Sequence, residues 1–346
     1  MESSNDTTPS IVIPVHARPT MHDVAKLAGV SLKTVSRVVN DEPRVEPQTR
    51  ARVEAVITTL GFRPNGLASG LRRGHSSSMI GLVIEDINNP FYSSIARGAE
   101  DVIRQHHFMI LIGSNEKSSS HEQDLVNAIL RRRVDGLLIV PASHNQAYLA
   151  KEIERGMPVV CLDRPPEHLA ADAVLLDNHG GTRRGIEHLI AQHHTRIGFI
   201  GGDPTVYTGA ERLGGYCEAL KTHGIQIDPQ LMRFARHDVL HAEAAARELL
   251  ALPDPPTAIF ADNNRMSVGV IRALRQYPQP VSLMGFDDIE LADMLAMPIT
   301  VITHDAIEMG RQAAHLLFAR LEGNPRPPQQ IIIPTQLVVY GTPPIR

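Results

Sequence analysis

Two rhythms divide the chain. Between Thr20 and Leu60, apolar positions recur at helical spacing; from Met79 onward, short continuous apolar runs alternate with amphipathic stretches. The runs are MIGLVI (79–84), FMILIG (108–113), GLLIVP (136–141), PVVCLD (158–163), VLLD (174–177), RIGFIGG (196–202), TAIFAD (257–262) and VSLMGF (281–286). Segments of helical length lie between most of them, for example 93–105, 122–132, 182–192 and 209–223. Continuous apolar strands separated by helices predict parallel sheets covered on both faces. So many βα units exceed one comfortable sheet, which predicts two α/β lobes. Residues 1–19 are polar and aperiodic, as in a disordered tail.

The helical part opens with TMHDVAKLAGVSLKTVSRVVN (20–40), which reads as two short helices joined by a tight turn. Thr20 and Asp23 form a capping-box pattern. Ala25 lets a second helix approach closely, Gly29 suits a turn with positive φ, and Ser31 can cap the second helix. Val30, Val35, Val38 and Val39 are the expected anchors of a small core. This is the layout of a helix-turn-helix, whose second helix enters the DNA major groove. That helix offers Leu32, Lys33 and Arg37 to base edges, and Thr34, Ser36 and Asn40 to phosphates or sugars. The competing reading is a plain αα-hairpin; caps on both helices and a basic outer face favour the DNA reader. A third helix is expected from Pro47, with Arg50 to Leu60 periodic and Gly61 as its stop.

Charge changes this picture only when it is placed. The 346 residues carry a net charge of −4, so the whole chain does not announce nucleic acid. Residues 20–74, however, hold nine Lys/Arg against five Asp/Glu, which makes a basic head on an acidic body. Two cysteines, Cys161 and Cys217, make neither a disulfide framework nor a zinc site. No apolar run approaches membrane-spanning length and no signal pattern precedes the head, so a cytoplasmic protein is expected.

In open parallel sheets, ligands bind beyond the carboxyl ends of strands. Polar residues gather there: Asp86-Ile87-Asn88-Asn89 after the first run, Asp163-Arg164, Asp177-Asn178, Asp262-Asn263-Asn264 and Asp287-Asp288 after later ones. Singly, such residues cap helices. Repeated after five strands, carboxylates and amides with an arginine suit a cleft that hydrogen-bonds a small polar ligand.

The run DVAKLAGVSLKTVSRVVN, followed by RPNGLASGL (63–71), closely resembles the LacI/GalR family of bacterial transcriptional repressors, from about Thr20 to the C-terminus. The resemblance implies an α/β chain: a three-helix helix-turn-helix DNA-binding head, then a two-lobed periplasmic-binding-protein-like effector domain with Rossmann-like parallel sheets. The implied division is a tail at 1–19, the head at 20–63, a hinge helix and linker at 64–78, and the effector and dimerisation domain at 79–346. Its first lobe takes about 79–176 and 305–334, and its second about 177–304 and 335–346. Asn65 to Leu71 resembles the family's hinge helix, with Leu71 as a minor-groove wedge. Gly66 and Gly70 would weaken that helix away from DNA, at about 1 kcal/mol each. The implied DNA contacts are Thr20, Ser31, Leu32, Lys33, Thr34, Ser36, Arg37, Asn40, Asn65, Ala68 and Leu71. Carried over by motif, Asp163, Arg212, Asn263 and Asp287 are the expected effector contacts, with Phe91 and Tyr92 as candidates for stacking. Two positions depart from the family pattern: Ser69 stands where Arg is frequent, and Asn264 where a carboxylate is usual.

The expected protein is thus a transcriptional regulator, a repressor by this reading. Its partners are a pseudo-palindromic double-stranded operator, a small sugar-like effector and a second copy of itself. It is expected to need no metal or cofactor, to do no catalysis, and to join the nucleoid when bound. A chain without a heptad tail after the last strand predicts a dimer. Two rivals are weaker. An enzyme lacks support, since Gly201-Gly202 is no dinucleotide fingerprint and no GxSxG elbow occurs. His106-His107 and His193-His194 have no ligand partners at metal spacing. A solute-binding receptor fits the lobes but not the basic head.

Overall fold

Thr20 starts the first helix through its own hydroxyl. Its Oγ1 accepts the Asp23 amide at 3.4 Å while the Asp23 carboxylate accepts the Thr20 amide at 2.7 Å. Helix α1 (Met21–Ala28) ends at Gly29, whose φ of 63° is the left-handed turn required there. Ser31 Oγ then accepts the Thr34 amide at 3.2 Å and opens α2 (Leu32–Val39). Helix α3 (Pro47–Leu60) has Pro47 in its first turn and Gly61, at φ 61°, as its stop. Val24, Ala25, Ala28, Val35, Val38, Val53 and Phe62 are buried together at the centre; Val30, Leu32 and Val39 pack partly against them. The computed structural model describes residues 19–39, 42–62 and 77–341, in two units that divide between Ser77 and Ser78. Asn40, Asn65, Ala68, Leu71, the residues through 18 and the segment 63–76 lie outside the described residues.

The second unit contains two six-stranded sheets. The first sheet holds β1 (Met79–Ile84), β2 (Met109–Ser114), β3 (Gly136–Ile139), β4 (Val159–Leu162), β5 (Asp172–Leu176) and β11 (Gln330–Ile333). The second holds β6 (Ile197–Gly201), β7 (Met232–Phe234), β8 (Ala258–Ala261), β9 (Ser282–Phe286), β10 (Ile299–His304) and β12 (Thr335–Tyr340). Helices α4 (Pro90–Gln105), α5 (Ser119–Leu130), α6 (Ala150–Glu154) and α11 (Ala306–Leu321) belong with the first. Helices α7 (Asn178–Ala191), α8 (Tyr207–Thr222), α9 (Val239–Leu250) and α10 (Asn264–Leu274) belong with the second.

The strand orders are β2-β1-β3-β4-β5-β11 and β7-β6-β8-β9-β10-β12. Each is the doubly wound 2-1-3-4-5 order, whose direction switches beside the first strand. In the first sheet the switch lies between β1 and β3; in the second it lies between β6 and β8. The sheets are parallel, as the apolar runs predict, except that β12 runs antiparallel to β10, from Ile299 opposite Tyr340 to His304 opposite Thr335. The cause is connectivity: Pro334 separates β11 from β12, and the chain reaches the second sheet from the other end. Strand β2 is also less covered than a two-faced strand should be. It is an edge, and its Met109 is 67% exposed.

Helices α4 and α11 cross almost at backbone contact. A Cβ added at Gly98 would lie 1.9 Å from the Ile307 carbonyl oxygen, and one at Gly310 2.0 Å from that of Ile95. Neither carbonyl can yield without moving its helix. Gly310→Ala is therefore expected to cost about 1–3 kcal/mol, read as a lower urea midpoint with an unchanged slope; an unchanged midpoint would show that the crossing is loose.

Candidate functional site

The two switch points face each other across a cavity of about 830 Å³. From the first lobe it is lined by Glu85 and Asp86 after β1, Lys117 after β2, Ala142 after β3 and Arg164 after β4. From the second come Gly202 and Asp203 after β6, Phe234 to Asp238 at and after β7, and Arg265 in the first turn of α10. Switch-point geometry accounts for the location, because the adjoining loops diverge there and leave room between strand ends.

None of the six sequence-expected contacts lines this cavity. Asp163, Arg212, Asn263 and Asp287 are 3%, 5%, 6% and 5% exposed; Phe91 and Tyr92 are buried in the core, edge-to-face at 4.9 Å. Asp163 and Asp287 follow β4 and β9, one strand beyond each switch. They occupy matching positions: both have left-handed backbones (φ 63° and 66°). Each donates its amide to the neighbouring strand, Asp163 to Val174 at 2.9 Å and Asp287 to Ile302 at 3.1 Å. Aspartate tolerates this conformation better than most residues.

Arg212, from α8, ties the buried groups together. Its Nε donates to Asn178 Oδ1 at 2.8 Å, its Nη1 donates to the Asp262 carbonyl, and its guanidinium stacks 3.8 Å from the centroid of Phe286. Its Nη2 lies 3.9 Å from Asp287 Oδ1, and His304 Nε2 lies 2.8 Å from the same oxygen. His304 in turn meets the Phe91 ring edge-to-face at 5.2 Å, which links the lobes. Burial alone would raise the Asp287 carboxyl; Arg212 and His304 outweigh it and hold it below the usual range. Asp163 goes the other way, since burial raises it more than Arg164 and Arg212 lower it. Among the described residues, buried polar atoms without a hydrogen-bond partner include Asp163 Oδ1, Arg164 Nε, Asp262 Oδ1 and His304 Nδ1. Such orphans are rare in a folded protein and mark where a polar ligand or water belongs.

Asn263 and Asn264 act differently from each other. Asn263 Oδ1 accepts the Met266 amide at 2.8 Å and so caps α10. Asn264 Nδ2 crosses between lobes to Asn89 Oδ1 at 2.9 Å. That oxygen already accepts the Phe91 amide at 3.1 Å, so only a donor can meet it. An amide at 264 makes a cross-lobe bond that a carboxylate would refuse. Arg265 reinforces it with an ion pair to Asp86 at 3.0 Å.

Sequence reasoning missed Glu85, Lys117, Phe234, His237 and Arg265 as cavity groups. The position of Glu85 directly after β1 was a usable signal, once the strand order was known. Lys117 and His237 sit in short loops and gave none.

In the head, α2 buries Val35 and Val38 and exposes Lys33, and Ser31, just before it, is exposed too. The Ser31 and Thr34 hydroxyls bond each other at 2.9 Å, and Arg37 lies half-buried with Nε 3.8 Å from Glu42. Leu32 is turned partly onto the head's core.

A sequence profile described as the lacI family of bacterial regulatory proteins matches residues 20–65, and one described as a periplasmic binding protein-like domain matches 186–342. The chain is 32% identical to the HTH-type transcriptional regulator DegA of Bacillus subtilis (strain 168), over 95% of this chain and 99% of that protein. It is 32% identical to the HTH-type transcriptional repressor CytR of Escherichia coli (strain K12), over 93% and 96%. The lac repressor dimer bound to operator and the anti-inducer ONPF superposes with a TM-score of 0.80 at 28% identity, covering 93% of this chain and 98% of that one. A transcriptional regulator CelR–cellobiose complex gives 0.68 at 32% identity, covering 93% and 98%. The chain belongs to the lacI family of bacterial transcriptional regulators. It is a DNA-binding regulator and not an enzyme. Among the described residues no helix is long and apolar enough to cross a membrane.

The two matching aspartates should respond oppositely to neutralisation. Ionised Asp163 is disfavoured by burial, so Asp163→Asn is expected to raise the urea midpoint at pH 7. Ionised Asp287 is favoured, so Asp287→Asn is expected to lower it. Wild-type Asp287 stabilises above the ordinary carboxylate range near pH 4 and loses that contribution as pH falls through its lowered value. Both differences should therefore shrink in acid; shifts of the same sign at pH 7 would contradict the assignment.

Proposed function

We propose that the chain is an operator-binding repressor, active in the cytoplasm as a homodimer, whose DNA affinity is set by a small sugar-like effector held between the lobes. The observation that carries this reading is the cavity between two facing switch points, backed by buried carboxylates with unmet hydrogen-bond capacity. A cleft of this size and polarity suits a small polyhydroxylated molecule. The cellobiose complex of one relative supports a sugar.

Two heads related by a two-fold axis read a pseudo-palindrome. Lys33 and Arg37 specify bases from α2, with Leu32, and the remaining head positions hold phosphates. Dimerisation is supported by the operator-bound lac repressor dimer and by apolar side chains left open on the effector unit, Met109 and Ile112 on the edge strand β2 and Leu291 and Met294 before β10. Effector contacts come from the cavity lining, and Asp163, Arg212 and Asp287, buried behind it, position that lining. Asn263 serves by capping the helix that carries Asn264 and Arg265, and Phe91 by bracing His304.

Arg37→Ala is expected to lose about 1–3 kcal/mol of discrimination between operator and random duplex, measured by fluorescence anisotropy. Undiminished selectivity would overturn the recognition-helix assignment. Asp287→Ala should still bind operator but no longer respond to small molecules that release the wild type; a normal response would move the effector site elsewhere.

A further inference from the structure

One wall of the cavity is a continuous chain of hydrogen bonds that passes from lobe to lobe. Arg164 donates Nη1–H to the Pro141 carbonyl at 2.7 Å and Nη2–H to Glu85 Oε2. Lys117 Nζ reaches Glu85 Oε1 at 3.2 Å, then crosses the cleft to His237 Nδ1 at 3.0 Å. His237 Nε2 lies 3.3 Å from Asp262 Oδ2, which also accepts the Gly202 amide at 2.7 Å. An ammonium only donates, so Nδ1 of His237 accepts and Nε2 carries the hydrogen, given to Asp262. The tautomer is fixed by its neighbours.

The wall's charges then cancel: two cations, Arg164 and Lys117, against two carboxylates, Glu85 and Asp262. The rest of the cavity has no positive surplus. Arg265 is spent on Asp86 at 3.0 Å. Arg236 is exposed, where water and salt screen its charge. The lining as a whole carries five Asp/Glu against four Lys/Arg. A phosphate or carboxylate brought here would shed water without gaining a buried, uncommitted cation, and would face the Glu85 carboxylate. A hydroxyl meets no such penalty. It donates to a carboxylate lone pair and accepts from an ammonium hydrogen at once, and Glu85 with Lys117 offers both within 3.2 Å of each other. Phe234, 48% exposed on the same lining, adds an apolar face for the C–H side of a sugar ring.

Resting on the effector reading above, we propose that this cavity takes an uncharged polyhydroxylated effector and rejects phosphorylated or carboxylated ones, and that Glu85 and Lys117 are the pair that decides this. The Glu85 carboxylate stays ionised in its buried place. Burial opposes its charge, but Arg164 and Lys117 together keep its carboxyl below the ordinary range.

The test measures thermal shift and operator release with ribose, galactose and cellobiose as neutral probes. Ribose 5-phosphate, galactose 1-phosphate and gluconate are the charged probes. A bacterial small-molecule extract, split by anion exchange into unretained and retained fractions, covers effectors beyond these six. Response confined to neutral probes or to the unretained fraction is expected. Response to a charged probe or to the retained fraction overturns the proposal while leaving the effector cleft standing. Response to none of them overturns the effector cleft itself, and the proposal with it. Glu85→Gln should weaken binding of the responding neutral probe or fraction at least tenfold and admit anionic ones, because it frees a cation. Lys117→Gln, at a side chain 46% exposed and so safe for folding, should weaken it comparably without admitting anions. If both folded variants kept wild-type affinity and selectivity, the pair would have no such role.

Discussion

A single buried guanidinium sets the terms for the effector unit. Arg212 is 5% exposed and has Asn178, the Asp262 carbonyl, the Phe286 ring and Asp287 around it. Removing one partner from such a buried charged set typically costs about 3–5 kcal/mol. The set therefore holds α7, α8, β8 and β9 in one arrangement at the strand ends. It also acts electrostatically on Asp163 in the other lobe. A cleft whose walls are positioned by buried charge can keep polar groups pointed inward without letting them collapse onto each other.

The same constraint explains why cavity and buried cluster are separate layers. The left-handed aspartates stand one strand beyond the switch points and sit too deep to line the open space. Most of the groups that do line it come from the loops after β1, β2, β6 and β7 and from the first turn of α10; Arg164, next to Asp163, also lines it. Among the described residues, side-chain bonds that cross between the lobes around it are Lys117 to His237, Asn264 to Asn89 and Arg265 to Asp86. Any ligand that enters changes the surroundings of all three. A change of lobe angle is the response such crossing bonds would transmit.

Much of the fold was legible in the sequence, for physical reasons. Strand β1 lies at 79–84, where MIGLVI has no polar residue to confuse its edges. The head was legible because every cap is local: Thr20 with Asp23, Gly29, Ser31, Pro47 and Gly61 each act within four residues. Strand β7 was not, because three half-exposed residues at a sheet edge carry no pattern. Strand β12 lay outside the apolar runs read as strands, and its antiparallel direction is set by a crossover and not by its own composition. At the site, sequence reasoning found the buried aspartates and Arg212 but not the cavity. Lys117 and His237 are 120 positions apart, and only the folded chain puts their nitrogens 3.0 Å from each other.

We propose that ligand binding in the cleft and operator binding by the head are coupled. Coupling of this kind is reciprocal. The decisive measurement is calorimetric: the dissociation constant of an operator-releasing small molecule for the free protein and for the operator-bound protein. Weaker binding to the complex is expected, by the same factor by which that molecule weakens operator affinity. Equal constants in the two states would contradict it.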